Sequence, residues 1–370
     1  MKKIAVFSAN AQYKIGGAET CIKLMVDQLE RNYDVTVVSG QRKIYENEKK
    51  FFYKNIKLIP LINLKYFRYF RNYLNYFIIY KFFKKNRFDI VIGNCSTCLG
   101  AINATIDTGG AAIYYVHEEF SINTRNEYDV KKTMKGILLR KFKLWLDYPF
   151  YLIHCKRNSK ALKNSRFVIA NSRYISNRIT EQENIIPEII YPFTETKNKF
   201  ATDLFSAKYI TMVGCEKVKG LEVFLKIAKL MPNDHFRVVG RTFKLQQIGN
   251  VLYHPFYDDV TEMYKSTKIL LVPSLWQEAF GKVSIEASAH SIPVIVSNRG
   301  GLPETVFKSD LVVMDYCDPF SWINKIQLIE IDIEYWGNQC KLHAEKFDVE
   351  FDNKKIKSLI MLAIADKYRK

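Results

Sequence analysis

The sequence predicts an α/β fold built on two doubly wound parallel sheets. Three observations carry that expectation. Short apolar runs alternate with stretches of helical spacing through the first half of the chain. The alternation stops at a polar, proline-bearing stretch near residues 183–200 and then begins again. The chain has 370 residues, more than one hydrophobic core usually organises.

Apolar runs at residues 3–7, 34–38, 89–92, 112–116 and 167–170 read as buried strands. Between the first two, Ala18, Ile22, Met25, Val26 and Leu29 recur at helical spacing. Such alternation gives a parallel sheet, because parallel strands need a crossover and a helix supplies one. Residues 183–200, with Pro187, Pro192 and a Thr-Glu-Thr-Lys-Asn-Lys run, read as a linker. Strands follow at 209–213, 236–239, 269–272 and 292–297, with helices at 220–230 and from Gly281 on. Residues 352–368 have a helical pattern with Ile356, Leu359, Ile360 and Ala363 on one face. No internal repeat is visible.

The most informative stretch is Pro273-Ser-Leu-Trp-Gln-Glu278-Ala-Phe-Gly281-Lys-Val-Ser-Ile-Glu286-Ala-Ser-Ala-His290, with Pro293 and Gly300-Gly-Leu-Pro-Glu304 behind it. A strand, a tight loop and a helix starting near Gly281 aim free backbone amides and the positive end of a helix dipole at one place, a ready anion site. Two carboxylates there can accept hydrogen bonds from hydroxyl groups. Anion donors beside polyol acceptors suggest a nucleotide-sugar. Two glutamates eight apart also suit a solvated helix face; the surrounding strands and glycines favour the site.

This region resembles the C-terminal domain of the retaining group 1, or family 4, glycosyltransferases, whose signature is a glutamate, seven residues and a second glutamate. Gly16-Gly17-Ala18-Glu19 and Lys219-Gly220 extend the likeness over nearly the whole chain. The resemblance implies the GT-B fold, two Rossmann-like domains facing an interdomain cleft. The expected division is an acceptor-binding domain at 1–190, a nucleotide-sugar domain at 191–350, and a last helix at 351–370 packing back on the first domain. It also implies that Glu278 contacts hydroxyls of the transferred sugar and that Glu286 holds the nucleotide ribose. His117, after an apolar strand, stands where related enzymes carry a histidine near the sugar, although an isolated histidine is more often simply packed. Asn171-Ser172 resembles a family motif near the hinge; a strand end with a helix cap explains it nearly as well.

A departing nucleoside diphosphate leaves negative charge that preplaced donors must meet. Lys219 is the leading diphosphate contact, helped by the amides around Gly281 and Lys282, so that His117, Glu278 and Lys219 form the expected catalytic set. Gly16, Gly17, Gly214, Ala279, Phe280 and Val283 complete the expected donor-binding set with Lys217, Lys219, Arg241, Glu278, Gly281, Lys282 and Glu286. The family has an arginine where this chain has Cys215, and Lys217 or Arg241 is expected to substitute. Ser291 stands where the family often has glycine, a change expected to affect only a turn. No Asp-x-Asp motif offers metal ligands, and Asp258-Asp259 reads as a helix start. No cofactor and no metal are expected. The resemblance implies retention, with the acceptor hydroxyl attacking the face the diphosphate leaves and the diphosphate itself taking the proton.

Hydrophobic residues at 48% and aromatics at 14% argue against disorder. Seven scattered cysteines suit a reducing cytoplasm, and Cys95-Ser-Thr-Cys98 lacks the partners of a metal or redox site. Asn10, Gln12, Lys14 and Glu19 interrupt any signal-peptide core after residues 3–7, and no window is apolar enough to span a bilayer. A net charge of +18 attracts polyanions. It gathers, with aromatics, in residues 65–87 and 131–163, a composition suited to an interfacial helix on an anionic membrane. Inward packing of Phe77, Ile78 and Phe82 fits the same residues.

The combined reading is a sugar transferase on the cytoplasmic side, using a nucleotide diphospho-sugar and a glycan or lipid-linked acceptor in bacterial-type surface polysaccharide or lipopolysaccharide assembly. Alternatives are a soluble glycan, protein or metabolite acceptor, or a non-catalytic relative. A nucleic-acid-binding protein explains the charge and leaves the glutamate loop without purpose; no nucleic acid partner is expected.

Overall fold

A computed structural model describes residues 2–14, 16–41, 49–64, 67–122 and 134–365. The described residues up to Phe193, together with those from Val349 on, form one compact unit, and Thr194–Asp348 form a second.

The first unit contains β1 (Lys3–Ser8), α1 (Gly17–Leu29), β2 (Asp34–Gln41), β3 (Ile56–Pro60), α2 (Arg68–Lys85), β4 (Ile90–Asn94) and α3 (Leu99–Asp107). It continues with β5 (Ala111–Val116), α4 (Met134–Asn164), β6 (Phe167–Ala170), α5 (Arg173–Glu183) and β7 (Glu188–Ile189). Its seven strands are all parallel in the order β3-β2-β1-β4-β5-β6-β7. The chain therefore reverses direction across the sheet between β1 and β4, where α/β sheets open a crevice at the strand ends. β1 and β4 are covered on both faces, which is why they read as unbroken apolar runs. α1 buries Cys21, Ile22, Met25, Val26 and Leu29. α5 starts at Ser172, whose hydroxyl caps the Ile175 amide at 3.0 Å.

The second unit holds β8 (Tyr209–Val213), α6 (Leu221–Leu230), β9 (His235–Val239), β10 (Gln246–Ile248), β11 (Val251–His254), α7 (Val260–Lys265), β12 (Thr267–Val272) and α8 (Lys282–Ala289). β13 (Val294–Ser297), β14 (Val312–Val313), α9 (Pro319–Ile331) and α10 (Ile333–Ala344) complete it. Strand order is β10-β11-β9-β8-β12-β13-β14, parallel except for the β10–β11 pair, and the reversal lies between β8 and β12. Arg237 on β9 is 1% exposed, and its two terminal nitrogens donate to neutral partners: Thr211, Tyr257, Ser266, Thr267 and the Met263 carbonyl, at 2.7–3.1 Å. It thereby ties the end of α7 to the sheet. As expected for a helix start, Asp259 caps the Thr261 amide at 2.9 Å.

α11 (Val349–Ala365) belongs to the first unit, where Ile356, Leu359, Ile360 and Ala363 join the core. Each large aliphatic side chain so buried contributes about 1.5–3 kcal/mol. The Asp352 carboxylate accepts from the Tyr191 amide at 3.2 Å and Asn353 bonds Gln28 at 3.3 Å.

Several expectations are corrected. Residues 183–200 are not all linker: β7 pairs with β6, and Ile190 and Phe193 are fully buried. The last sheet strand of the glutamate region starts at Val294, after Pro293, which has no amide proton for a ladder. On α2 the buried positions are Asn72, Asn75, Ile79 and Phe83, while Phe77 is 49% exposed and Ile78 and Phe82 only half-buried. Asn75 faces inward because it pairs with both backbone groups of Ile62. Lys65, Lys131 and the side chains of Lys135, Arg140, Lys141 and Lys143 lie outside the described residues. Among the described residues no helix is long and apolar enough to cross a membrane.

Candidate functional site

In the second unit the site grows from the ends of β8 and β12, the two strands that flank the reversal of sheet order. After β8, a single helical turn at Lys217–Lys219 docks on the loop that follows β12. The amides of Leu275 and Trp276 both donate to the Val218 carbonyl, at 2.9 and 3.2 Å. A Cβ on Gly220 would lie 1.8 Å from the Pro273 carbonyl oxygen, so only glycine lets the two segments meet. The Lys219 stem lies across Gly214, 3.1 Å from where a Cβ would be.

This docking brings together residues 59 apart. Lys219 Nζ donates to Glu278 Oε1 at 2.6 Å, and the Ser274 hydroxyl donates to the same oxygen at 2.9 Å. Glu278 Oε2 has no partner among the described residues, which leaves a carboxylate lone-pair face available. The Lys219 side chain is 38% exposed and that of Glu278 15%, so the pair sits at the rim of the structure with its carboxylate end sheltered. Ser274 is fixed in turn by Ser297, whose hydroxyl donates to the Ser274 carbonyl at 2.7 Å.

The loop carrying Glu278 rests on the glycine pair. Gly300 has φ 59°, and a Cβ there would lie 2.1 Å from the Glu278 carbonyl oxygen. At Gly301 it would lie 2.5 Å from the Ala279 carbonyl oxygen, and the Gly301 amide donates to the Glu278 carbonyl at 2.8 Å. Gly281, at φ 114°, turns the chain into α8. Phe280 is buried against Phe347 and Val283 packs on the core, so at 279–283 the backbone and the Lys282 side chain are what a ligand can meet. Lys282 pairs with Glu286 one turn further on. The other Glu286 oxygen lies 3.4 Å from the Tyr264 hydroxyl, whose phenol is pushed well up by burial and by Glu286 itself. Tyr264 therefore stays protonated as a donor.

Of the residues expected to replace the family arginine, Lys217 is joined to Glu222 at 2.8 Å on the exposed first turn of α6, and not to the Lys219–Glu278 pair. An exposed carboxylate five residues on, in the first turn of α6, thus engages this lysine. Arg241 is exposed after β9, its guanidinium 5.9 Å from the Phe256 ring. Cys215 packs against Gly240, where a Cβ would lie 2.5 Å from its own.

In the first unit the strand ends carry a histidine and two asparagines, with Glu118 beside them. His117 follows β5; its Nε2 lies 3.0 Å from Asn94 Oδ1, and Asn94 Nδ2 donates to the Phe7 carbonyl at 3.4 Å. With the amide so oriented, Nε2 carries the proton and Nδ1 is left as an acceptor. Although part of the ring reaches solvent, desolvation pushes the imidazole down to about 3, so it is neutral at pH 7. Asn171 donates to the His117 carbonyl at 3.2 Å, and Glu118 accepts from both the amide and hydroxyl of Ser96, at 3.1 and 3.0 Å. Gly16 precedes α1 with extended backbone, and a Cβ there would meet only Glu19, at 3.6 Å. Packing does not require glycine at 16. Gly17 opens α1.

Sequence reasoning missed Ser274, Ser297 and Tyr264, which hold the two glutamates, and Asn94, which fixes the His117 tautomer. Ser274 was within reach, directly after the strand and inside the glutamate motif.

Comparison with known proteins bears on these two units separately. Residues 15–198 match the model for Glycosyltransferase Family 4, and residues 207–329 match that for Glycosyl transferases group 1. The chain belongs to the group 1, family 4 glycosyltransferases. Its fold is GT-B, shared with sucrose-phosphate synthase of Thermosynechococcus elongatus at a TM-score of 0.76 and 16% identity over 99% of this chain and all of that one. The Anabaena protein HepE, in complex with UDP and glucose, matches at a TM-score of 0.70 and 15% identity over 98% of this chain and all of the other. Among curated relatives, D-inositol 3-phosphate glycosyltransferase of Corynebacterium kroppenstedtii is 31% identical over 94 residues, 24% of this chain. That match spans 21% of the relative's own length. The group 1 match contains every residue of the Lys219–Glu278 and Lys282–Glu286 pairs.

Proposed function

We propose that the chain transfers a sugar, with retention of anomeric configuration, from a nucleotide diphospho-sugar to a glycan or lipid-linked acceptor, as in the assembly of a bacterial-type surface polysaccharide. The observation that carries this reading is the Lys219–Glu278 pair at the β8/β12 reversal, beside the start of α8. Ionic pairs at such a site are ready to exchange partners. A diphosphate draws Lys219 and the amides at Gly281 and Lys282, and Glu278 is freed to accept from hydroxyls of the sugar. Glu286 then accepts from the ribose. The complexes of HepE with UDP and glucose support a nucleotide-sugar donor for this fold.

In the reaction the acceptor oxygen bonds to the anomeric carbon as the bond from that carbon to the diphosphate breaks. The acceptor proton passes to the departing diphosphate, so no protein base is needed. Neutral His117 offers Nδ1 to a substrate hydroxyl and does not carry charge itself. The chemistry is proposed to be metal-independent, since lysines and amides supply the countercharge. On α4, Trp145 is 70% exposed, with Leu146, Tyr148 and Leu152 also exposed, which favours an acceptor met at an anionic membrane on the cytoplasmic face.

Thermal-shift titration with UDP, GDP and ADP tests the donor reading. Stabilisation by one base, unchanged by EDTA, is expected; a flat response to all three would count against the assignment. Flotation with phosphatidylglycerol vesicles at low salt tests the membrane contact, and absence of binding would remove it.

A further inference from the structure

Between α2 and α4 the first unit leaves a narrow recess that the transferase reading does not use. It is lined by Asn72 and Tyr76 from α2, Ser96 and Thr97 just after β4, and His154 and Arg157 from α4. At its depth there is room for little more than one water-sized group.

The lining is polar in an unbalanced way. Asn72 is 7% exposed, and neither its Oδ1 nor its Nδ2 has a partner among the described residues. His154 is also 7% exposed, with Nε2 unpartnered. A buried polar group left unpaired is costly, so two of them turned to one recess ask for a ligand. Arg157 lies with its guanidinium 3.7 Å from the Tyr76 ring centroid and within 4.9 Å of those of Tyr73 and Phe77. It has no carboxylate partner among the described residues, and the lining contains no acidic side chain. The short α3 begins two residues after Thr97, and its first residue, Leu99, also lines the recess. Ser96 is held by Glu118, next to His117, so the recess adjoins the strand-end cluster.

We infer that this recess receives a phosphate oxygen of the acceptor, held by Arg157, His154 and the Asn72 amide. A cation with aromatic walls and no counter-ion supplies the charge, and the two buried polar groups supply direction. The inference deepens the transferase reading and rests on it, since it assigns a chemical class to the acceptor. A free phosphorylated sugar and a phospholipid headgroup would present the same group.

Calorimetric titration of the full chain with inorganic phosphate, its donor site saturated with the stabilising nucleoside diphosphate, tests this. Saturable binding is expected, weakened at least tenfold in Asn72→Leu and lost in Arg157→Gln. Asn72→Leu replaces an unpaired amide by an apolar group of similar volume and is expected to melt no lower than wild type, so it decides the matter even if Arg157→Gln does not fold. Binding of a hexose 6-phosphate with the same sensitivity to Asn72→Leu assigns a soluble acceptor. The same sensitivity with phosphatidylglycerol vesicles assigns a lipid one. Absence of phosphate binding, or equal binding by wild type and Asn72→Leu, overturns the inference. Nucleotide binding in the same samples separates the two readings: nucleotide bound without phosphate sinks the recess alone, and neither bound sinks the transferase reading with it.

Discussion

The strand ends of the second unit carry lysine–glutamate pairs set on glycines, whereas those of the first carry a neutral histidine held by amides, with the Glu118 carboxylate beside it turned to Ser96. Lys219, Glu278, Lys282 and Glu286 pair at β8, β12 and α8, over Gly300 and Gly301 that no other residue could replace without moving the loop. At β4, β5 and β6 the groups are Asn94, His117 and Asn171, and Gly16 has no steric neighbour that demands glycine. The contrast matches a division of labour. A site that stabilises a leaving diphosphate needs preplaced charge on rigid backbone. One that orients hydroxyl groups needs neutral donors and acceptors of fixed tautomer.

The sharpest way to break this comparison is Glu278→Gln. It keeps the shape of the loop but removes the charge that holds Lys219, and kcat/KM for the donor is expected to fall about 100-fold or more. His117→Gln, the matching change in the neutral region, is expected to cost less, about tenfold. Steady-state kinetics on both would decide; equal losses would mean the ionic and neutral sites do not differ in role.

Gly300→Ala should cost about 2–4 kcal/mol, since it adds a backbone clash to a left-handed conformation. Gly16→Ala should change stability by less than about 0.5 kcal/mol. Denaturant melts would show the difference, and a Gly300→Ala protein as stable as wild type would mean that the cradle yields.

pH separates the regions more gently. His117 is held down to about 3 and His154 to about 4, both by burial, and for His154 also by Arg68 and Arg157. Their ordinary value is 6.5, so in the interval below it the unfolded chain binds protons that the folded one refuses. Their contribution is therefore present above pH 6.5 and lost as pH falls toward 4 and then 3. The loss reaches about 1.4 kcal/mol per pH unit for a fully shifted histidine. Melting curves from pH 7 to 4 should show this slope, reduced in His154→Gln.

The smallest effect concerns Ser291, which takes φ 60° while buried at 4% exposure. Ser291→Gly should stabilise by up to about 1 kcal/mol through relief of that conformation. A loss of stability on melting would show that the serine has a packing role here.

The parallel strands were legible because burial on both faces makes them continuous apolar runs, as at β1, β8 and β12. The edges were not. β3, β7, β10 and β14 are two to five residues long; β10 is exposed, and β14 is a pair of buried valines in an apolar run too short to tell a strand from a turn. α2 misled because its aromatics recur closely enough to suit several faces, while the chain buries Asn72 and Asn75. At the site, Glu278, Glu286 and Lys219 could be read from their motifs. The contact between Lys219 and Glu278 could not, because it depends on Gly220 docking against Pro273. Nor could the tautomer of His117, which is set by an asparagine on another strand.

The glycine cradle has a consequence for altering the protein. Because Gly300 and Gly301 pin the main chain of residues 278 and 279, neighbouring side chains can change without shifting where the carboxylate stands. Trp276 and Gln277, half-buried on the same loop, are then the positions at which a library aimed at a different sugar would best begin, with the two glycines left alone.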